Sequence, residues 1–79
     1  MSAQIFRLPA VVSHTGKRRT AIYEDIRAGL FPPPVKIGRR ASGWPAYECD
    51  ALNEARIAGR SPEEIRALVA RLVARRSRA

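Results

Sequence analysis

Residues 8–28, with the sequence LPAVVSHTGKRRTAIYEDIRA, decide the fold of this chain. They contain two helix-like blocks, residues 8–13 with a proline in the first turn and residues 18–28 with apolar residues at helical spacing. Residues 14–17 between the blocks are too few for anything but a tight connection. The stretch therefore predicts a helix-turn-helix.

The second of these helices combines an apolar side with a basic beginning. Ala21, Ile22 and Ile26 fall at helical spacing and are predicted to be buried, with Tyr23 partly buried beside them. Gly29 is the predicted C-terminal stop. The opening of the helix carries polar residues, three of them basic: Lys17, Arg18, Arg19 and Thr20.

The next segment is predicted to form a small β-hairpin. Prolines at positions 32–34 exclude a helix and impose an extended path. Residues 35–37 alternate apolar and basic side chains, residues 38–41 suit a turn, and residues 42–44 return as a second short strand. This basic-tipped hairpin is a candidate wing, and we expect Trp44 to pack in the core rather than to stack on a base.

A third helix is expected over residues 46–58, after a proline and before Gly59. Cys49, Leu52 and Ala55 fall on one side of this helix and are predicted to face the core. Residues 1–59 would then form the winged domain.

The remaining residues, 60–79, are predicted to form an appended helix with a strong start signal. Ser61 can cap the free amides, Pro62 fits the first helical position, and Glu64 can complete a capping box. An apolar stripe on this helix needs a partner surface. Packing on the winged domain, self-association and binding of an integrase are the open alternatives. The stripe comprises Ile65, Leu68, Val69, Leu72 and Val73.

The charge balance indicates a polyanionic partner. Lys and Arg number 15 against 7 Asp and Glu in 79 residues, so the net charge is +8. DNA, RNA, an anionic membrane and an acidic protein would each satisfy this charge. A chain of this length allows one domain, and no large active-site cavity is expected.

Several chemistries are excluded by what the chain lacks. Cys49 and His14 are the only cysteine and histidine, too few for an intramolecular disulfide or a zinc site. No stretch resembles a signal peptide or reaches the length of a membrane span. We therefore expect a cytoplasmic, nucleoid-associated protein that has no catalytic residues, metal, cofactor or small-molecule substrate.

Short motifs follow one another in a distinctive order between residues 5 and 58: Arg7-Leu8-Pro9, Thr15-Gly16, Ile22-Tyr23, Gly29-Leu30-Phe31-Pro32, Pro34-Val35-Lys36 and Gly43-Trp44-Pro45. In this order and spacing the chain resembles the AlpA-type phage regulatory proteins, which are similar to excisionases and to the DNA-binding domain of MerR regulators. The resemblance implies a mainly α fold with a small β-hairpin, a winged helix-turn-helix, that acts on phage, prophage or other mobile-element DNA.

Three positions depart from the pattern of that family. Lys17 stands where an aliphatic residue is typical, and Arg18 where a small hydroxyl residue usually caps the recognition helix. Asp25 stands where an apolar residue is common. We expect the recognition helix to lack its side-chain cap, and its first turn to fray or to become ordered only on DNA.

The start of the recognition helix holds the candidate base readers. An arginine in the major groove can contact guanine O6 and N7 together, and Arg18 and Arg19 are the first candidates for this contact. Thr20 is short enough to meet a base edge or a phosphate. Tyr23 can offer its hydroxyl to a phosphate while its ring packs inward.

Other basic residues are candidates for phosphate contacts. Lys17 and Arg27 lie near the two ends of the recognition helix, where flanking phosphates pass, or else they only solubilise an exposed face. In the wing, Lys36, Arg39 and Arg40 can reach the backbone or the minor groove, the alternative being a solvated turn. A C-terminal series is equally open between phosphate contacts and a solvated face: Arg71, Arg75, Arg76 and Arg78.

The leading hypothesis is a non-enzymatic regulator that binds double-stranded DNA sequence-specifically. One alternative is an excisionase, a recombination directionality factor that bends attachment-site DNA beside an integrase. A second is an interaction protein that acts through its fourth helix. RNA binding is disfavoured because the chain has five aromatic residues and no evident stacking platform.

Overall fold

The predicted helix-turn-helix is present. In the computed structural model, which describes residues 4–77, α1 spans Leu8–Thr15 and α2 spans Arg19–Ala28. Gly16 ends α1 with a φ of +72°. Because side chains disfavour this left-handed conformation, a glycine here allows the sharp turn into α2.

The predicted hairpin belongs to a three-stranded antiparallel sheet. β2 (Val35–Lys36) pairs with β3 (Ser42–Pro45), and β1 (Ile5–Phe6) pairs with the other edge of β3. β1 was not predicted, because two residues carry no periodicity and the strand exists only through its pairing with β3. Gly43 permits the close approach, since a Cβ at this position would lie 2.6 Å from Cγ2 of Ile5.

Two further helices complete the domain, α3 (Ala46–Ile57) and α4 (Pro62–Arg76). Trp44 enters the core between the wing and the helices, where it is 1% exposed. Its ring centroid lies 6.2 Å from that of Phe31, and its Nε1 donates to the carbonyl of Pro32 at 2.8 Å. The expectation that Trp44 packs in the core is confirmed.

Apolar side chains from every helix meet in one core. Cys49 and Leu52 are fully buried and Ala55 packs partly buried against them, as the spacing in α3 predicts. A large apolar side chain contributes roughly 1.5–3 kcal/mol when it is buried in this way. The core comprises Val11, Ile22, Phe31, Trp44, Cys49, Leu52, Ile65, Val69 and Leu72.

α4 begins with the predicted capping box. The Ser61 hydroxyl accepts from the amide of Glu64 at 3.2 Å, and Oε1 of Glu64 accepts from the amide of Ser61 at 3.0 Å. Of the apolar stripe, Ile65, Val69 and Leu72 are buried, while Leu68 and Val73 are partly buried against the core. The stripe lies against the rest of the same chain, and its burial does not favour self-association through these five residues.

Candidate nucleic-acid interface

α2 presents one polar side to solvent. Ile22 is buried and Ala21 and Ile26 are partly buried, so the opposite side of the helix is fixed against the core. Residues three and four apart in a helix share a face, and the exposed polar residues of α2 follow that spacing. They are Arg19, Thr20, Tyr23, Glu24 and Arg27.

Tyr23 is 39% exposed and is not among the side chains that pack against the core. The expected partial burial is therefore wrong, and the side chain is accessible on the polar side of α2. Its role as a phosphate contact stays a prediction.

The N-terminus of α2 lacks a side-chain cap. Arg18 occupies the N-cap position, its carbonyl accepts from the amide of Ile22 at 3.0 Å, and its side chain makes no capping hydrogen bond within residues 4–77. The predicted absence of the cap is confirmed, and α2 begins at Arg19. The expectation that the first turn frays or becomes ordered only on DNA stays a prediction. The first amides of a helix have no intrahelical partner and carry partial positive charge, so this end of α2 attracts anions.

Lys17 forms an ion pair with another residue of the same chain. Its Nζ lies 2.5 Å from Oδ2 of Asp25, which also accepts from Nη2 of Arg56 at 3.2 Å. The Asp25 side chain is only 14% exposed, and a carboxylate so little solvated needs such partners. The two cations explain how an acid occupies a position that is usually apolar. They also leave Lys17 poorly placed for the phosphate contact that its sequence position suggests.

The wing displays its three candidate residues to solvent. Lys36 lies on the edge strand β2 opposite Ser42, and Arg39 and Arg40 lie in the turn between β2 and β3. The amide of Ile37 donates to the carbonyl of Ala41 at 2.9 Å and closes that turn. The closed turn therefore holds both exposed arginines at the end of the hairpin.

Arg7 and Glu24 are exposed charges that were not among the predicted site residues. Arg7 follows Phe6, which pairs with Trp44, so it lies beside the wing sheet; its place depends on β1, for which the sequence carries no signal. Glu24 is exposed on the polar side of α2 and forms no ion pair within the part of the chain that the structure describes. A carboxylate on this face can accept from cytosine N4 in the major groove.

His14 and Cys49 make contacts within the fold rather than forming a reactive site. The Nε2 of His14 lies 2.6 Å from Oδ1 of Asp50, and its ring packs against Phe6 with a centroid separation of 4.9 Å. Burial raises the pKa of the Cys49 thiol to about 11, and the carboxylates of Glu48 and Asp50 add to the shift. Residues 4–77 contain no cluster of side chains suited to a metal ion, and no helix among them is long and apolar enough to cross a bilayer.

The C-terminal arginines differ from one another. Arg76 binds the buried carboxylate of Glu48, and the guanidinium of Arg75 lies 4.7 Å from the ring centroid of Tyr47. Arg71 is exposed, and Arg78 lies outside the described residues. Arg75 and Arg76 therefore contact other residues of the chain, and their side chains are not simply solvated.

Comparison with known proteins gives two matches. A family model described as "Prophage CP4-57 regulatory protein (AlpA)" matches residues 4–57. The uncharacterized protein ORF88 of Enterobacteria phage P4 is 42% identical over 57 residues, which is 72% of this chain and 65% of that protein, just under two thirds of its length. No solved structure matches the chain. α4 begins beyond the last residue that the family model covers.

Proposed function

The chain belongs to the AlpA family of prophage regulatory proteins, and from this premise we propose that it is a transcriptional regulator that binds double-stranded DNA sequence-specifically. The observation that carries the proposal is the exposed polar side of α2, which bears Arg19, Tyr23 and Arg27 while the opposite side packs in the core. The major groove is wide enough to admit an α-helix, so that this side would meet base edges.

The residues of α2 would divide the work of recognition. Arg18 and Arg19 lie at the end of the helix that attracts anions, and a bidentate arginine–guanine contact is worth about 1–3 kcal/mol of discrimination. Thr20 would meet a base edge or a phosphate, and Tyr23 and Arg27 would meet phosphates further along the groove. The uncapped amides of α2 support the same docking, because phosphates bind well at helix N-termini.

The wing would supply contacts that do not depend on sequence. Lys36, Arg39 and Arg40 are exposed cations on a hairpin, a shape that suits the DNA backbone or a narrow minor groove. Such contacts release counterions, and they would make affinity strongly dependent on salt.

The test is a binding titration of the full chain. The DNA that flanks its gene and a scrambled duplex of equal length and composition would each be titrated at two salt concentrations. A preference for the flanking DNA that survives the higher salt would support the proposal. Equal binding to both duplexes that collapses at the higher salt would contradict it, because only electrostatic attraction would remain.

Footprinting on the preferred DNA separates a simple regulator from an excisionase. One or two half-sites at a fixed separation would support a promoter regulator. A long footprint over several adjacent sites, with cooperative filling, would instead indicate a factor that organises attachment-site DNA.

A further inference from the structure

Residues 29–34, which we call the proline linker, connect α2 to the wing and include three consecutive prolines. A proline has no N–H, so this part of the linker cannot donate main-chain hydrogen bonds. Its position relative to the rest of the fold must then depend on its carbonyl groups and on the packing of Phe31 and Pro32, both buried.

Side chains from three elements donate to carbonyls of the linker or of Ala28, the residue just before it. Two donors come from the winged domain itself: Trp44 binds the carbonyl of Pro32 at 2.8 Å, and Arg56 binds that of Leu30 at 3.4 Å. The other two come from α4, beyond the residues that the family model covers. They are Arg66, whose Nε donates to Ala28 at 2.9 Å, and Arg76, whose Nη2 donates to Pro33 at 2.9 Å.

Arg76 contacts both the wing end of the linker and a buried carboxylate. Besides Pro33 it binds both carboxylate oxygens of Glu48, at 2.9 and 2.6 Å, and Glu48 is fully buried. The neighbouring Arg75 stacks on Tyr47, so two consecutive residues tie the end of α4 to the start of α3. The planar guanidinium can bind the carboxylate and the carbonyl together, which an ammonium group does less well.

Arg66 acts at the other end of the linker, where α2 finishes. The last carbonyls of a helix have no intrahelical donor, and Arg66 satisfies that of Ala28. Its aliphatic stem lies over Gly29, at 3.7 Å from the position that a Cβ would occupy there. α4 therefore holds the chain both where α2 ends and just before the wing begins.

We propose that α4 is a brace that fixes the orientation of the wing relative to α2, through Arg66 and Arg76. As far as it concerns DNA, this inference rests on the proposed function. Two elements that must meet one duplex together bind best when their relative orientation is set beforehand, because less ordering is required on binding. Arg66 and Arg76 are then positioning residues, which support the contacts made by α2 and the wing without making contacts of their own.

The structural part is tested on the free protein. Residual dipolar couplings of the backbone amides in α2 and in β2–β3 report the orientation between them. Arg66→Gln and Arg76→Gln should change or average this orientation, and Arg71→Gln, which removes the same charge from the same helix, should leave it as in the unaltered chain. Couplings in Arg66→Gln and Arg76→Gln that fit the original single orientation would overturn the proposal.

A double substitution separates positioning from stability. Glu48→Met with Arg76→Met removes the buried ion pair and the bond to Pro33 while it keeps apolar volume, an exchange that buried ion pairs often tolerate. The doubly substituted chain should remain folded, with α4 docked, and yet show an altered orientation of the wing. A folded double variant with the original couplings would also count against the brace.

The DNA part uses the same variants and the same duplexes. Arg66→Gln should weaken binding to the preferred DNA by roughly 3–10-fold, typical of coupling through a positioned element, with the salt dependence unchanged because no phosphate contact is lost. Equal losses for Arg66→Gln and Arg71→Gln, each with a shallower salt dependence, would mean that the arginines act as plain charge and would overturn the brace. A lack of sequence preference in the unaltered chain would refute the proposed function alone, since the couplings are measured without DNA.

Discussion

Arg76 and Glu48 form a two-point ion pair between the end of α4 and the first turn of α3, with Nε 2.9 Å from Oε2 and Nη2 2.6 Å from Oε1. Glu48 is completely excluded from solvent, whereas the Arg76 side chain is 19% exposed. A carboxylate in that position depends on its partner, because an unpaired charge in the interior is strongly unfavourable. The pair links a residue inside the family-matched segment to one outside it.

Replacement of Arg76 should therefore lower the free energy of unfolding more than replacement of Glu48. Arg76→Ala leaves the buried carboxylate unpaired and should lower the free energy of unfolding by about 3–5 kcal/mol. Glu48→Gln leaves a neutral group and should lower it less. Urea denaturation at neutral pH measures both changes, with Arg71→Ala as an exposed control expected to stay within about 0.5 kcal/mol. An Arg76→Ala chain as stable as this control would contradict the assignment.

Substitutions at Arg19 and Lys36 should distinguish a base reader from an anchor. Arg19→Ala should reduce the preference between the flanking DNA and the scrambled duplex, because a base contact contributes to one of them only. Lys36→Ala should weaken binding to both by a similar factor and lower the slope of log affinity against log salt by about one. Parallel titrations on the two duplexes measure this. If Arg19→Ala lowered the affinity for both duplexes equally, the proposed base contact of Arg19 would be contradicted.

Lys17 should behave as a structural residue rather than as a phosphate contact. Because its ammonium group is bound to Asp25, Lys17→Met should lower stability while the salt dependence of DNA binding stays the same. Urea denaturation gives the first quantity and titrations at several salt concentrations give the second. A salt slope that falls by about one, as expected for a phosphate contact, would show that Lys17 leaves Asp25 when DNA binds.

Much of the fold followed from local signals in the sequence. Gly29 and the capping box of Ser61 and Glu64 delimit helices through interactions within a few residues, and for this reason the sequence predicts them correctly. The burial of Trp44 also followed, because a large aromatic residue in a small domain has few other places. The pairing of β1 did not follow, since it depends on a register set by distant residues.

The roles of individual charges were harder to predict for the same reason. Nothing within a few residues of Lys17 or Arg76 indicates that their partners are Asp25 and Glu48, of which Glu48 is 28 positions from Arg76. In a chain with 15 Lys and Arg residues, every cation fits the description of a phosphate contact. Only the tertiary packing of the helices distinguishes the cations that stabilise the fold from those that face solvent.

Cys49 should be unreactive in the folded protein. The thiol is fully buried, and a pKa raised from 9.0 to about 11 reduces the thiolate fraction near neutral pH by about 100-fold. Titration with a thiol-specific disulfide reagent should give slow labelling without denaturant and rapid labelling in urea, in step with unfolding. Rapid labelling of the folded chain would contradict the buried position of Cys49.

The capping box at the start of α4 should make stability depend on pH in a defined direction. The amide of Ser61 and then its hydroxyl lower the pKa of the Glu64 carboxyl below its ordinary value of 4.5. A carboxyl whose pKa is lower in the folded state binds its proton more tightly when the chain is unfolded. Its contribution is therefore complete above about pH 4.5 and is lost as the pH falls through the folded pKa.

Glu64→Gln isolates that contribution, because glutamine keeps an acceptor oxygen but does not ionise. The variant should unfold at a lower temperature than the unaltered chain near neutral pH, and the difference should shrink when both are measured well below the ordinary pKa. Glu63→Gln is the matched control, since it removes the same charge from the same helical turn without touching the capping box. A difference for Glu64→Gln that is as large in acid as at neutral pH would mean that the ionised carboxylate is not what stabilises the start of α4.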